Sequence, residues 1–366
     1  MIKHCRVGIL TWHYYSNFGS SLQAYALQTA IASLGYDVEF VNYHNLRFGK
    51  TSHLWETIKL VTSLTIGKLP FRFASYFSSG RKVFEHRYLR CGKVTQDIKK
   101  LPSITAKYYA LVCGSDQIWA PNCYNPVYFA AFAKGGIRKV SYAASIGLNS
   151  IPENLAPVYA EHLSDFYAIS VREEEGKALL KDKCGVEATV VLDPTLLLRA
   201  ENYIKIEKRV SCIRNNRFLF VYLLNANHQY ESQIKEFARK KDLQIVGVSS
   251  NSNDQNWMTL LSHLGADQFI WLIHHSDAVF TDSYHGTIFS LLFHKNVYTF
   301  LRFSEDDPIN QNSRIRQLQQ YFGLSGHIIA HGDVIDEKIT IDFDFFETQL
   351  ELLRERSFAF LRDALR

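Results

Sequence analysis

The sequence predicts an α/β protein with two parallel-sheet domains that face a cleft, and three observations lead to this class. The chain has 366 residues, enough for two domains at about 150 residues each. Segments of strand and helix type alternate through the first half and again through the second. Hydrophobic residues make up 47% of the chain and charged residues 21%, as in ordinary globular domains. Alternation of this kind favours parallel sheets, which bind ligands beyond the carboxyl ends of their strands.

The first half begins with a predicted strand over residues 5–12 and a helix over 21–35, which Gly35 closes. Further strands are predicted over 36–43, 108–115, 138–145 and 166–173. Between them, residues 46–100 are rich in Phe, Arg and Lys and predict a helical insertion. Its aromatic and basic face is explained either by solvent exposure over a small core or by contact with an acceptor or a membrane surface.

The second half begins near Cys184 and Gly185, where the chain is predicted to cross between domains. Strands are predicted over 218–224, 243–250, 277–282 and 296–301, and helices over 230–241, 266–276 and 286–295. The last segment has the apolar spacing of an amphipathic helix. We therefore expect a first domain over 1–185, a second over 186–342 and a C-terminal helix over 343–366.

The composition narrows the classes of function and location. The net charge of +5 is mild and the basic residues are scattered, so no nucleic-acid partner is expected. Six cysteines form no CxxC pair and are interpreted as reduced thiols of an intracellular protein. The chain shows neither a signal segment nor an apolar run of about 18 residues. We expect a cytoplasmic protein, with peripheral contact at the inner face of the membrane as the alternative.

Clusters of polar residues follow four of the predicted strands. They lie at 16–23, 113–122, 145–147 and 281–286. In parallel sheets these positions hold helix N-termini, whose free amides and partial positive charge bind anions. Helix capping explains any single cluster. Four of them in one chain favour a binding cleft.

Three residues in or near these clusters are candidates for chemistry. His285 lies between a hydroxyl-rich turn and Gly286 at a predicted helix start, where it is either a structural side chain or a proton donor beside an anion. Arg172 emerges at the end of a strand and either forms a solvated ion pair with Glu175 or grips a phosphate or carboxylate. Arg314 is a second candidate for an anion contact.

Signals for metals and nucleotides are weak. The DFD run over 342–344 precedes the terminal helix and is better explained by helix capping. His274 and His275 lie on a predicted helix with no Cys or carboxylate expected nearby, so no zinc site is predicted. Neither a GxGxxG nor a GxxxxGK[ST] sequence occurs, which excludes the usual dinucleotide and P-loop sites. We expect no metal and no cofactor.

Seven motifs together resemble the polysaccharide pyruvyl transferase family, over about residues 7 to 324. In order they are NFGSSLQAYALQ, CGSDQIWAPN, SYAASIG, SVREEEG, VLDPTLLL, TDSYHGTIFSLLF and INQNSRI. The resemblance implies two Rossmann-like domains in a GT-B-like arrangement. It also implies transfer of pyruvate from phosphoenolpyruvate onto two hydroxyls of a sugar in exopolysaccharide biosynthesis, forming a cyclic ketal.

The resemblance also implies roles for particular residues. His285 matches the family's donor-site histidine, and Arg172 matches a donor-binding arginine. Some relatives carry a basic residue where this chain has Ser283, so Arg314 is expected to supply that phosphate contact. Asp116 is a candidate for orienting or deprotonating the acceptor hydroxyl, with a structural cap as its alternative.

The remaining expectations concern donor, acceptor and rivals. Ser283 and Gly286 are assigned to the donor, and the residues assigned to the acceptor are Asn17, Gly19, Ser20, Ser115 and Gln117. The expected partners are phosphoenolpyruvate and a sugar acceptor, free or lipid-linked. One rival is a nucleotide-sugar glycosyltransferase of the same fold, but the predicted helix 286–295 has no carboxylate to hold a ribose. The other rival is a carbohydrate-binding protein without catalysis.

Overall fold

The computed structural model describes residues 5–14, 17–44, 80–133, 135–213, 217–224, 230–249, 256–304, 307 and 310–366. Residues 46–79 of the predicted insertion at 46–100 lie outside these ranges, and with them the first half of its aromatic and basic stretch. Its described part contains the helix α2, Gly80–Tyr88. Within the described ranges, no helix is both long and apolar enough to cross a lipid bilayer.

The first sheet has four parallel strands in the order β2-β1-β3-β4. They are β1 (Arg6–Leu10), β2 (Asp37–Phe40), β3 (Ala110–Cys113) and β4 (Arg138–Ser141). A short parallel pair, β5 (Ser170–Val171) and β6 (Thr189–Val190), continues this sheet through single bridges from β4 and the residues after it. The strand predicted over 166–173 is thus reduced to two residues, and β6 was not predicted.

The second sheet has six parallel strands in the order β12-β11-β10-β7-β8-β9. They are β7 (Phe218–Leu223), β8 (Gln244–Ser249), β9 (Thr259–Leu260), β10 (Ala278–Thr281), β11 (Asn296–Phe300) and β12 (Ile328–Ile329). Both central strands, β7 and β10, are fully buried, which fits the apolar run of β7 and the three apolar residues that precede Thr281 in β10. The strand order reverses between β1 and β3 in the first sheet and between β7 and β10 in the second. Ligands of open parallel sheets bind at such reversals.

Within the described ranges, ten further helices connect and cover the strands. They are α1 (Phe18–Ser33), α3 (Leu101–Thr105), α4 (Ala156–Leu163), α5 (Glu174–Cys184), α6 (Ala200–Ile204), α7 (Glu231–Lys241), α8 (Ala266–His275), α9 (Tyr284–Leu292), α10 (Ser313–Phe322) and α11 (Phe343–Leu365). Two of them begin earlier than predicted. Asn17 caps α1 and Ser283 caps α9, so polar residues expected to be in loops belong to first turns.

Buried contacts join the two sheets through α1 and the C-terminal helix. Phe18 of α1 stacks on Phe269 of α8, with ring centroids 4.7 Å apart. The end of α11 returns to the first sheet, where Leu361 and Leu365 are buried and the Leu365 carbonyl accepts a hydrogen bond from Tyr36 at 2.6 Å. The predicted α/β class with two parallel sheets is confirmed. The division at 185/186 and the separate terminal helix stay predictions.

Candidate active site

The turn between β10 and α9 is held by its own hydroxyls. Ser283 Oγ accepts a hydrogen bond from the Gly286 amide at 3.3 Å, and Thr281 Oγ1 accepts one from the Ser283 amide at 3.1 Å. A Cβ on Gly286 would lie 2.5 Å from Thr281 Oγ1, so this glycine is needed to let the turn close. The contacts of Ser283 and Gly286 are thus those of a cap and a tight turn. Their predicted contact with a donor stays a prediction.

His285 lies in the first turn of α9 and faces the first turn of α1. The side chain is buried, and a Cβ built on Gly19 would lie only 2.1 Å from its Nδ1 atom. Its Nε2 atom lies 3.5 Å from Oδ2 of Asp193. The imidazole therefore fits between two helix starts because residue 19 has no side chain. The structure brings the predicted proton donor directly against a residue that the sequence assigned to the acceptor.

Arg172 is anchored by two buried carboxylates. Its Nη1 atom donates to Asp193 Oδ2 at 2.8 Å, and its Nε atom donates to Glu173 Oε1 at 3.0 Å. Burial lowers the pKa of Arg172, but the carboxylates of Glu173 and Asp193 more than offset this and raise it above its ordinary value. The alternative of a solvated ion pair with Glu175 is wrong, because Arg172 precedes α5 and its side chain is 1% exposed.

Asp193 connects Arg172 with His285 and was not predicted. It follows β6 in the segment that leads to the second sheet. Burial would raise its pKa, but the charges of His285 and Arg172 and a hydrogen bond from the Thr195 hydroxyl hold this pKa well below its usual range. Asp193 lies in VLDPTLLL, one of the seven motifs of the resemblance, just after the predicted crossing between domains. The sequence signal for Asp193 is a single acidic residue within the apolar run VVLDPTLLL, which indicates a buried carboxylate.

Two guanidinium groups flank the ring of Tyr284. The Cζ atom of Arg172 lies 4.7 Å from the ring centroid and that of Arg314 lies 5.7 Å from it. Arg314 is buried and donates from Nη2 to Gln311 at 2.7 Å. Burial and the charge of Arg172 lower the pKa of Arg314 to about 10.

Several buried polar atoms here lack a hydrogen-bond partner among the described residues. They are Nη2 of Arg172, Nε of Arg314, Oε2 of Glu173 and Nε2 of His285. A buried donor without a partner costs about 1–3 kcal/mol, more if it is charged. Two such donors on guanidinium groups near one ring are therefore suited to hold an anion.

Asp116 lies at the other side of the site, directly after β3. Its Oδ2 atom accepts from the Ser20 hydroxyl at 2.5 Å and its Oδ1 atom accepts from the Gln117 amide at 3.0 Å. The carboxylate thus ties the end of β3 to the first turn of α1. These contacts fit the alternative that Asp116 is a structural cap. They also hold its carboxylate beside the start of α1.

The other predicted acceptor residues make internal contacts. Asn17 caps α1 by accepting from the Gly19 amide at 2.8 Å. Ser115 is fully buried and donates to the Ala143 carbonyl at 2.8 Å. The Gln117 side chain covers Gly147, where a Cβ would lie 2.0 Å from its Nε2 atom. Acceptor binding by these residues stays a prediction.

Two predictions about metals have different outcomes. Asp342 Oδ1 accepts from the Phe345 amide at 2.9 Å, which confirms that DFD caps the terminal helix. The expectation that no carboxylate lies near His274 and His275 is wrong. Glu207 lies 2.8 Å from His274 Nδ1 and 3.2 Å from His275 Nε2, because the chain after α6 passes the end of α8. These three side chains could offer ligand atoms to a cation.

Comparison with known proteins gives a family and a fold. Residues 17–302 match a family model described as polysaccharide pyruvyl transferase. No curated protein matches the sequence. The UDP-GlcNAc 2-epimerase from Methanocaldococcus jannaschii aligns with a TM-score of 0.50 and 13% identity, covering 95% of this chain and 92% of that one. UDP-N-acetylglucosamine 2-epimerase from Rickettsia bellii aligns with a TM-score of 0.50 and 8% identity, covering 99% and 97%. These likenesses concern the fold alone and confirm the GT-B-like arrangement.

Proposed function

We propose that this chain, which belongs to the polysaccharide pyruvyl transferase family, transfers pyruvate from phosphoenolpyruvate to a sugar of a cell-surface polysaccharide or its precursor. The product would be a pyruvate ketal across two sugar hydroxyls. One observation carries the choice of donor. Arg172 and Arg314 are both buried, lie over the same ring and each keep a nitrogen without a hydrogen-bond partner in the described chain.

An anionic donor suits this arrangement for electrostatic reasons. Burial first, and then the nearby charge of Arg172, lower the pKa of Arg314 to about 10, so a buried anion beside the two guanidinium groups would be stabilising. Phosphoenolpyruvate carries a carboxylate and a phosphate, so it can accept charge-assisted hydrogen bonds from both guanidinium groups. The amides at the start of α9 add a partial positive charge on the same side.

His285 would start the reaction by giving a proton to the methylene carbon of the donor. The adjacent carbon then gains oxocarbenium character and is attacked by the first sugar hydroxyl, which loses its proton. The bond from that carbon to the phosphate oxygen breaks and phosphate leaves. The second hydroxyl then attacks the same carbon, closes the ketal and gives its proton to His285, which restores the acid. A positioned acid of this kind contributes about 10²- to 10⁴-fold to the rate.

The acceptor would enter from the side of α1 and β3. Asp116 would orient the attacking hydroxyl or take its proton, since it lies where α1 begins and is held there by Ser20. A nucleotide sugar is the alternative donor. Against it, α9 has the sequence YHGTIFSLL and so offers no carboxylate to hold a ribose. Binding of a sugar without transfer is the other alternative.

The test is incubation of the full chain with phosphoenolpyruvate and a panel of free and lipid-linked sugars, with released phosphate and acceptor mass read together. We expect phosphate release that depends on the acceptor, and an acceptor heavier by one pyruvate less one water. Common UDP- and GDP-sugars serve as competing donors in parallel reactions. Transfer from one of these, with no phosphate released from phosphoenolpyruvate, would overturn the proposal.

A further inference from the structure

Asp193 lies between Arg172, the proposed donor-binding residue, and His285, the proposed proton donor. It belongs to neither sheet, yet its Oδ2 atom lies 2.8 Å from Arg172 Nη1 and 3.5 Å from His285 Nε2. Arg172 follows β5 of the first sheet, and His285 begins α9 after the second sheet. One buried carboxylate oxygen therefore contacts the predicted donor-binding group and the predicted proton donor.

We propose that Asp193 is a positioning residue for pyruvyl transfer, which rests on the proposed function. Its carboxylate faces the Nε2 atom of His285 and orients the imidazole ring, and it fixes the direction of Arg172. Asp193 itself need not touch either substrate. The residue acts through its two neighbours.

The two carboxylate oxygens of Asp193 have separate tasks, which makes the idea testable. Oδ1 accepts from the Thr195 amide at 3.0 Å and from the Thr195 hydroxyl at 2.7 Å, and so starts the turn over 194–196. Oδ2 accepts from no backbone amide in the described chain. Its neighbours are Arg172, His285 and the Ser115 hydroxyl at 3.5 Å. Asp193→Asn can keep the turn through its amide oxygen while removing the charge from the site.

Because Asp193→Asn removes a negative charge, it should change donor affinity and turnover in opposite ways, which loss of a purely structural residue would not do. Removing one anion leaves the neighbourhood of Arg172 and Arg314 more positive, so an anionic donor should bind as well as before or more tightly. Arg172 also keeps its contact with Glu173. Turnover should nevertheless fall, because the imidazole loses the charge that faces it. A residue that only supported the fold would lower donor affinity, turnover and Tm together.

The experiment compares wild type, Asp193→Asn, His285→Ala and the double variant as full chains. We expect kcat to fall by about 10²-fold in Asp193→Asn, while KM for phosphoenolpyruvate stays the same or falls. In the His285→Ala background the same substitution should cost less than about fivefold, since residues that act as a unit are not additive. Additive losses in the cycle, or a KM that rises in step with the fall in kcat, would overturn the proposal.

Two further measurements keep the test decisive. Should Asp193→Asn not fold, Thr195→Val removes only the 2.7 Å contact to Oδ1 and leaves the contacts of Oδ2 in place. A folded Thr195→Val variant should therefore keep its kcat, and a fall as large as that expected for Asp193→Asn would contradict the proposal. Calorimetric titration with inorganic phosphate needs no turnover. If the wild type is inactive with every acceptor, the proposed function fails. Phosphate titration of wild type and Asp193→Asn still tests whether removing the charge of Asp193 changes anion affinity as expected. Weaker phosphate binding in Asp193→Asn at unchanged Tm would refute that expectation.

Discussion

Gly19→Ala tests the contact on which the candidate active site depends. Gly19 lies in the first turn of α1, and an added Cβ would come within 2.1 Å of His285 Nδ1 and 2.5 Å of its Cγ. In an isolated helix this substitution would be favourable by about 0.5–1 kcal/mol. Here the imidazole occupies the space that the methyl group needs. The expected result is a folded protein with its proton donor displaced.

The size of the displacement follows from the distances. Non-bonded heavy atoms settle at about 3.5 Å, so the ring and the new methyl group must separate by about 1.4 Å more than the present geometry allows. The ring cannot move that far towards Asp193, whose Oδ2 atom is already 3.5 Å from Nε2. Either the imidazole of His285 rotates to another side-chain conformation, or the start of α1 moves away from α9. A misplacement of about 1 Å at a reacting group can cost about 10²-fold in rate.

The assay is phosphate release from phosphoenolpyruvate with an accepted sugar, measured for Gly19→Ala beside Gly135→Ala. Gly135 is a matched control, because a Cβ there meets no atom within 4 Å. We expect kcat to fall by about 10²-fold in the first variant and to be unchanged in the second, with Tm near that of the wild type in both. Wild-type turnover in Gly19→Ala would show that the close approach to His285 has no part in the chemistry.

Three further predictions test the donor groups, metals and pH. His285→Ala should lower turnover by about 10²- to 10⁴-fold with little loss of donor affinity, whereas Arg172→Ala should mainly weaken donor binding in calorimetry; normal turnover in His285→Ala would make the imidazole structural. Turnover should survive dialysis against a chelator, and loss restored by magnesium or manganese would contradict this. The pKa of Asp193 in the folded protein lies below its value of about 3.9 in the unfolded chain. The ionised carboxylate therefore stabilises the fold at pH values above about 3.9, and this stabilisation is lost as the pH falls below it. The difference in unfolding free energy between wild type and Asp193→Asn should therefore shrink by about 1 kcal/mol from pH 7 to pH 3 in urea titrations, and a constant difference would refute the shift.

Much of the fold could be predicted because the signals are local. The six residues of β7 form an unbroken apolar run, and all six are buried in the centre of the second sheet. The starts of α1 and α9 were placed too late, because Asn17 and Ser283 could be either loop residues or caps until their partners were known. The two-residue strands β5, β6, β9 and β12 are too short to give a period in the sequence.

The site was predicted only where a motif lay beside a strand end. His285 and Arg172 are predicted in this way, and the structure places both of them beside one carboxylate. That carboxylate, Asp193, is 92 residues from His285 in sequence, so no local pattern could connect them. The partner of Arg172 was misjudged for a related reason. The choice of Glu175 assumed helical spacing, but α5 begins only at Glu174.

The arrangement of the two sheets places His285 where the helices that follow β1 and β10 meet. Strand order reverses beside β1 in the first sheet and beside β10 in the second, and the helices that follow these strands are α1 and α9. Their first turns meet at Gly19 and His285, so the positive ends of both helices point towards the same region. An anionic donor is favoured there by two helix ends and two guanidinium groups at once. In the proposed reaction the acceptor lies on the side of α1 and the donor on the side of α9, so a proton donor at the contact of these helices would be within reach of both. Any change that separates the two helix starts should therefore weaken chemistry more than it weakens the binding of either ligand alone.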